Sequence, residues 1–117
     1  MARPLITLAL TLGLAACGGE GSGRTTVLHL ATDPAGALAF DKDSLEAPAG
    51  EVTIELTNDA PIPHDVSVEG NGVEESSPTA ITSTASLTVE LERGTYTFFC
   101  SVADHREAGM EGTLTIE

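Results

Sequence analysis

The sequence predicts an all-β protein, folded as an antiparallel Greek-key β-sandwich of seven to eight short strands. Three observations carry this. Apolar and polar residues alternate in short runs, as they do on a strand with one face in a core. Twelve Gly and six Pro divide the chain, and no stretch holds a convincing helical period. "LERGTY" sets Gly94 two residues before Tyr96, the pattern of a tyrosine corner, a device of Greek-key β proteins.

The elements follow in order. "TTVLHLAT" (25–32) alternates and opens the domain as a strand; His29 shares a face with Val27 and Ala31 and reads as a surface or edge residue. "GALAFDKDSLEAP" (36–48) reads as short strand pieces around a polar turn at Asp41-Lys42-Asp43. "EVTIELTN" (51–58) places Val52, Ile54 and Leu56 on one face, and "HDVSVEG" (64–70) repeats this with Val66 and Val68. "GNGVEESSPTAITST" (70–84) is polar and rich in turn residues, and is expected to be a connection. "ASLTVELE" (85–92), "TYTFFCS" (95–101) and "GTLTIE" (112–117) complete the set. With four aromatic side chains besides His, the core must rest on Val, Leu, Ile and Ala.

The N-terminus reads differently. Arg3 precedes an apolar run of thirteen, "PLITLALTLGLAA", too short to cross a bilayer comfortably and suited to an export signal. Leu14-Ala15-Ala16-Cys17 resembles the bacterial lipobox, which implies cleavage before Cys17 and lipid on its sulfur. "GGEGSG" (18–23) is a flexible linker by composition. From Cys17 to Arg24 it spans about 16 Å on average. The organisation is thus a lipoprotein-type signal peptide over 1–16, a lipid-anchored linker over 17–24 and one domain over 25–117. Localisation follows: the cell envelope, on the periplasmic or extracellular face of a membrane.

The net charge is −13, and loss of Arg3 with the signal makes it one unit more negative. Nucleic acid is excluded as a partner, since it binds through cationic side chains. Anionic headgroups repel such a domain, so lipid at Cys17 would have to hold it at the membrane. A redox protein with a basic surface is the expected partner, and the domain is expected to be a monomer.

Beyond residue 17 the chain has one Cys and one Met, and both lie in "FFCSVADHREAGMEG". Cys100, His105 and Met110 follow one another at intervals of five residues. Tyr96, Phe98 and Cys100 share a strand face, so if the first two are core, Cys100 points inward at the strand end. The following loop can fold His105 and Met110 back over the sulfur. His64 lies at the start of another strand, behind Pro61 and Pro63, which fix φ and stiffen its approach. Two histidines, one thiolate and one thioether match the trigonal His₂Cys set with a weak axial Met that blue copper uses. Zinc more often recruits several Cys or His with no Met. A Cys17–Cys100 disulfide is compatible with an oxidising compartment, but lipidation would consume Cys17.

These segments resemble the cupredoxins, the small blue copper fold. "NDAPIPHD" is similar to the first-histidine segment and "GTYTFFCSVADHREAGMEGTLTI" to the ligand loop and last strand, so the resemblance covers about residues 25–117. It implies one type 1 copper ion with His64, Cys100, His105 and Met110 as ligands, and electron transfer as the function. It also implies that the loop histidine, His105, lies in an apolar docking patch, here built with Ile62, Pro63 and Ala103. Many cupredoxins carry Asn after the first histidine; this chain has Asp65, which can accept a backbone hydrogen bond from Ser101 but cannot donate as an amide does.

An enzyme is disfavoured by counting. Oxidases and reductases of this chemistry need further copper sites, and three His with one spare Cys cannot supply them. The alternative reading is an envelope protein that binds or delivers copper and releases it to a partner.

Overall fold

Eight strands form where the alternation runs: β1 (Thr25–Ala31), β2 (Ser44–Ala47), β3 (Gly50–Asn58), β4 (Ser67–Gly70), β5 (Val73–Ser76), β6 (Ser83–Leu91), β7 (Gly94–Phe99) and β8 (Glu111–Ile116). The computed structural model describes residues 25–117, so the signal, the linker and Cys17 lie outside the described residues. Among the described residues none is helical. The strands make two sheets, ordered β1-β3-β6 and β2-β8-β7-β4-β5.

Each sheet turns one apolar face inward. β3 contributes Val52, Ile54 and Leu56, all fully buried, against Val66, Val68, Phe98, Leu114 and Ile116 of the facing layer. Burying one such side chain stabilises the fold by about 1.5–3 kcal/mol. The tyrosine corner is present: Tyr96 is buried and its hydroxyl donates to the Glu92 carbonyl at 2.8 Å. His29 is exposed on β1 beside Glu55, as expected of a strand-surface residue.

Four pairings are antiparallel, whereas β1 with β3 and β2 with β8 run parallel. The chain crosses from the first sheet into the second between β1 and β2, then returns as β3 beside β1. Alternation within a segment carries no information about its partner's direction, so these two pairings are invisible in the sequence.

Residues 70–84 are more than a connection. They hold β5, which pairs with β4 around Asn71-Gly72, where φ is +50° and +82°. An Asn-Gly pair with both residues at positive φ is the favoured two-residue hairpin turn. That signal was in the sequence, hidden because Glu74 and Glu75 gave the strand no apolar face. His64 also differs slightly from expectation. It forms an isolated bridge with Ala80, and the strand proper begins at Ser67.

The topology brings the connection between β3 and β4 and the connection between β7 and β8 to one end of the sandwich. These two segments carry His64, Cys100, His105 and Met110.

Candidate metal centre

His64 is held by its backbone and by a buried amide. Its N–H donates to the Ala80 carbonyl at 3.0 Å, and the Ala80 N–H donates back at 2.8 Å. Asn58, fully buried, anchors the run before it. Its Oδ1 accepts from Thr32 Oγ1 at 2.8 Å and from the Ala60 N–H at 3.0 Å. Its Nδ2 donates to the carbonyls of Ile62 and Ala80 at 2.8 and 2.9 Å. Every hydrogen-bonding site of that side chain is used. With Pro61 and Pro63 restricting φ, the segment has little freedom to move the imidazole.

Cys100 follows β7 directly and is fully buried, on the same face as Tyr96 and Phe98. The loop beyond it closes on itself. The Cys100 N–H donates to the Met110 carbonyl at 3.0 Å, and the Met110 N–H to the His105 carbonyl at 3.1 Å. These bonds fix the backbones of all three residues together, and Met110 is fully buried.

The side chains converge. Cys100 Sγ lies 3.8 Å from His64 Nδ1 and 3.6 Å from His105 Nδ1. The two imidazole rings stand 5.0 Å apart at 56°. One ligand atom from each of His64, Cys100 and His105 falls within 4.8 Å of the others. His64 is the deeper ring, with no exposure against 8% for His105.

The family model for copper binding proteins of the plastocyanin/azurin family matches residues 27–117. The chain belongs to this family. It is a cupredoxin, with one type 1 copper as its cofactor and blue copper electron transfer as its function. Solved structures share the fold. Auracyanin B is 23% identical, with a TM-score of 0.69 over 78% of this chain and 88% of that one. Auracyanin A, a "blue" copper protein from the green thermophilic photosynthetic bacterium Chloroflexus aurantiacus, is 21% identical, with a TM-score of 0.69 over 80% of this chain and 100% of that one. Reduced rusticyanin is 20% identical, with a TM-score of 0.65 over 82% of this chain and 81% of that one. A search of curated protein sequences found no match.

The residues of this cupredoxin fit a metal. Bonds of about 2.0 Å to imidazole and about 2.3 Å to thiolate, arranged trigonally, separate sulfur and nitrogen by about 3.7 Å. The observed separations of 3.6 and 3.8 Å bracket that value. His64 Nε2 is buried with no hydrogen-bond partner among the described residues. A metal bound at Nδ1 would make Nε2 the protonated nitrogen; it would not supply the partner that Nε2 lacks.

Asp65 does in this cupredoxin what the sequence suggested. Its Oδ1 accepts the Ser101 N–H at 2.6 Å, and its Oδ2 accepts the Ser101 hydroxyl. The carboxylate is 5% exposed, so one residue after His64 is tied to one residue after Cys100. Of the expected docking residues, Ala103 is exposed, while Ile62 and Pro63 are half-buried. Ile62 turns toward Gly36: a Cβ there would meet Ile62 Cδ1 at 3.2 Å. Ile81, 55% exposed, follows the residue that pairs with His64, and sequence reasoning missed it. It missed Asn58 too, although a polar residue in the inward register of Val52, Ile54 and Leu56 was the available signal.

Burial lowers the His64 pKa from its ordinary 6.5; the His105 imidazole adds to this and Asp65 opposes it. Burial raises the Cys100 thiol from its ordinary 9.0; the N–H groups of Asp65 and Val102 act against it. The metal-free centre is therefore neutral at these two residues near pH 7, and binding must displace the thiol proton. The consequence for stability has two limbs. As pH falls below 6.5 the unfolded chain protonates His64 while the folded one does not, so folded stability declines. Above 9.0 the unfolded chain ionises Cys100 first, and stability declines again. Thermal unfolding of the metal-free domain is thus expected to peak between these values. His64→Gln is expected to flatten the acid limb between about pH 5, where carboxylates take over, and the ordinary imidazole pKa.

Proposed function

We propose that His64 Nδ1, Cys100 Sγ and His105 Nδ1 would hold the copper ion, with Met110 as a weaker fourth ligand. We further propose that the chain works as an exported electron carrier anchored through lipid at Cys17. The convergence of two Nδ1 atoms on one buried sulfur carries the ligand assignment. The apolar run before Leu14-Ala15-Ala16-Cys17 supports export and anchoring. Copper held in this set supplies a Cu(I)/Cu(II) couple between the preferences of the two oxidation states.

The chain's own residues do the rest. His64 and Asp65 fix one side of the site and the Cys100–Met110 turn the other, so neither has to move when an electron passes. Burial of His64, Cys100 and Met110 excludes water. His105, the ring with residual exposure, is the exit for the electron. Three His leave no second copper site, which favours a carrier over an enzyme. Burial also favours retention over delivery: copper should stay bound through repeated voltammetric cycles, and loss on reduction would assign delivery instead.

The docking face joins Ile62, Pro63 and Ala103, and we add Ile81. A basic redox protein is the partner its surroundings suit. Residues 25–117 hold three Lys or Arg side chains. Two of them are already engaged, Lys42 with Asp41 and Arg106 with Glu69 and Glu111. Attraction of this kind fades as the Debye length shrinks from about 30 Å at 0.01 M salt to about 3 Å at 1 M. Stopped-flow electron transfer to a basic cytochrome is expected to slow about tenfold or more across that range. Ala103→Lys and Ile62→Lys should slow it further with the copper spectrum unchanged. Ile81→Lys repeats the test at a side chain the fold does not need. Parent-like rates for all three at every salt concentration would move the docking face elsewhere.

A further inference from the structure

Arg106 follows the ligand His105 and reaches back across the sheet. Its Nη2 donates to Glu69 Oε1 of β4 at 2.5 Å, and its Nε donates to Glu111 Oε2 at the start of β8 at 3.0 Å. Its guanidinium carbon stands 4.1 Å from the centroid of the Phe99 ring, a stacking distance. Phe99, which precedes Cys100, pairs in register with Ser67 of β4 and Glu111 of β8. One side chain from the ligand loop thus touches three adjacent strands at the point where β7 hands over to Cys100.

Isolated surface ion pairs contribute little. Here one planar fork serves two carboxylates and an aromatic face at once, a geometry an ammonium cannot reproduce. The strands that Arg106 grips are already joined by backbone ladders, so the sheet does not need it. The loop does. Within residues 101–109, the turn's own backbone bonds join it to itself, to the Cys100–Met110 base and, from Gly109, to Glu111 at the start of β8. Among the described residues, the side-chain hydrogen bonds that lead outward from it are Ser101 to Asp65 at one end and Arg106 to Glu69 and Glu111 in the middle.

We infer that Arg106 is a positioning residue for the copper site: it pins the ligand loop to β4 and β8 through Glu69 and Glu111, and so holds His105 in one place in both oxidation states. The inference rests on the ligand assignment above. Loss of a group that orients a metal ligand typically lowers metal affinity by about 10–100-fold.

The test is the rate at which the copper-loaded domain surrenders its metal to an excess of chelator, read from the visible band. Arg106→Gln removes the fork and a positive charge; Glu69→Ala removes its acceptor and a negative charge. Charge alone would make the first variant hold a cation more tightly and the second less tightly. Pinning makes both release copper faster, by about tenfold or more. The double variant should then release no faster than the quicker single one, because both remove the same contact. Arg106→Lys should recover part of the loss. The metal-free Arg106→Gln domain should unfold within about 2 °C of the parent, a shift below that of a 1 kcal/mol change in a domain this size. Parent-like or slower release by Arg106→Gln overturns the inference. So does a metal-free domain destabilised as much as the loaded one, since Arg106 would then serve the fold and not the site. A parent that never turns blue would instead remove the ligand assignment, an outcome visible before any variant is made.

Discussion

Cys100→Ser is expected to erase the visible absorption of the copper-loaded domain while leaving a folded sandwich. The parent is expected to be intensely blue, because a thiolate in a trigonal plane with two imidazoles donates charge strongly to Cu(II). Serine keeps the shape nearly unchanged but offers an oxygen that does not ionise near neutral pH. Cys100 lies at the strand end, outside the apolar cluster that holds the two sheets together, so its loss leaves that cluster intact. A buried hydroxyl with a poor partner costs about 1–3 kcal/mol, which shifts the unfolding temperature without abolishing the fold. Absorption and circular dichroism on the same sample decide the matter, and a blue Cys100→Ser variant would sink the ligand assignment. Met110→Leu makes a useful contrast. Leucine fills much the same volume at a cost of less than about 1.5 kcal/mol, so the colour should persist. The reduction potential should rise, because a weak donor to the oxidised metal has gone.

Gly112→Ala should be the most damaging single-methyl change in the fold. A Cβ at this position would fall inside van der Waals contact with Phe98 Cζ and the Asp43 carbonyl oxygen, and 2.6 Å from Phe98 Cε1. Backbone φ is not the issue, since Gly112 is not in the left-handed region. The constraint is space. Phe98 pairs in register with Gly112, and its ring also packs against Phe40 at 5.7 Å. The Asp43 carbonyl accepts the Thr113 N–H at 2.9 Å, so neither neighbour is free to withdraw. Overpacking of this kind costs about 1–3 kcal/mol, occasionally more. The two immovable neighbours put Gly112→Ala at about 3 kcal/mol, or roughly 10–20 °C of unfolding temperature. Phe98→Leu alone should also destabilise, but adding it to Gly112→Ala should recover part of the loss, because the smaller side chain vacates the space. A Gly112→Ala domain that melts within a degree of the parent would show that the strand shifts to make room.

Gly112 and Met110 lie two residues apart, so damage there also reaches the site. The β8 strand that Gly112 lets close against Phe98 directly follows Met110, whose carbonyl accepts the Cys100 N–H at 3.0 Å. Loss of that close contact should therefore disturb the spectrum of the loaded domain as well as its melting.

What could be read from the sequence was whatever depends on residue type and short spacing. Alternation through Val52, Ile54 and Leu56, and through Tyr96, Phe98 and Cys100, assigned inward faces, because a strand's side chains alternate whatever it pairs with. The rarity of sulfur beyond residue 17 marked Cys100 and Met110, and the loop spacing tied His105 to them. The Pro-stiffened approach singled out His64. Each of these signals is local, or rests on counting residues that have few other uses.

What only the tertiary structure decided was partnership. Nothing in "TTVLHLAT" says that β1 runs parallel to β3, and nothing in "SLEA" says that β2 runs parallel to β8. Asn58 looks like a strand end in the sequence; its four hydrogen bonds exist because Thr32, Ala60, Ile62 and Ala80 gather around it. Arg106 reads as one cation in an acidic chain, and its meaning comes from Glu69, thirty-seven residues earlier. Hydrogen bonds and ion pairs act over a few ångströms in space and are indifferent to distance along the chain. A sequence can therefore single out candidate ligands of such a site while leaving unseen the residues packed around them.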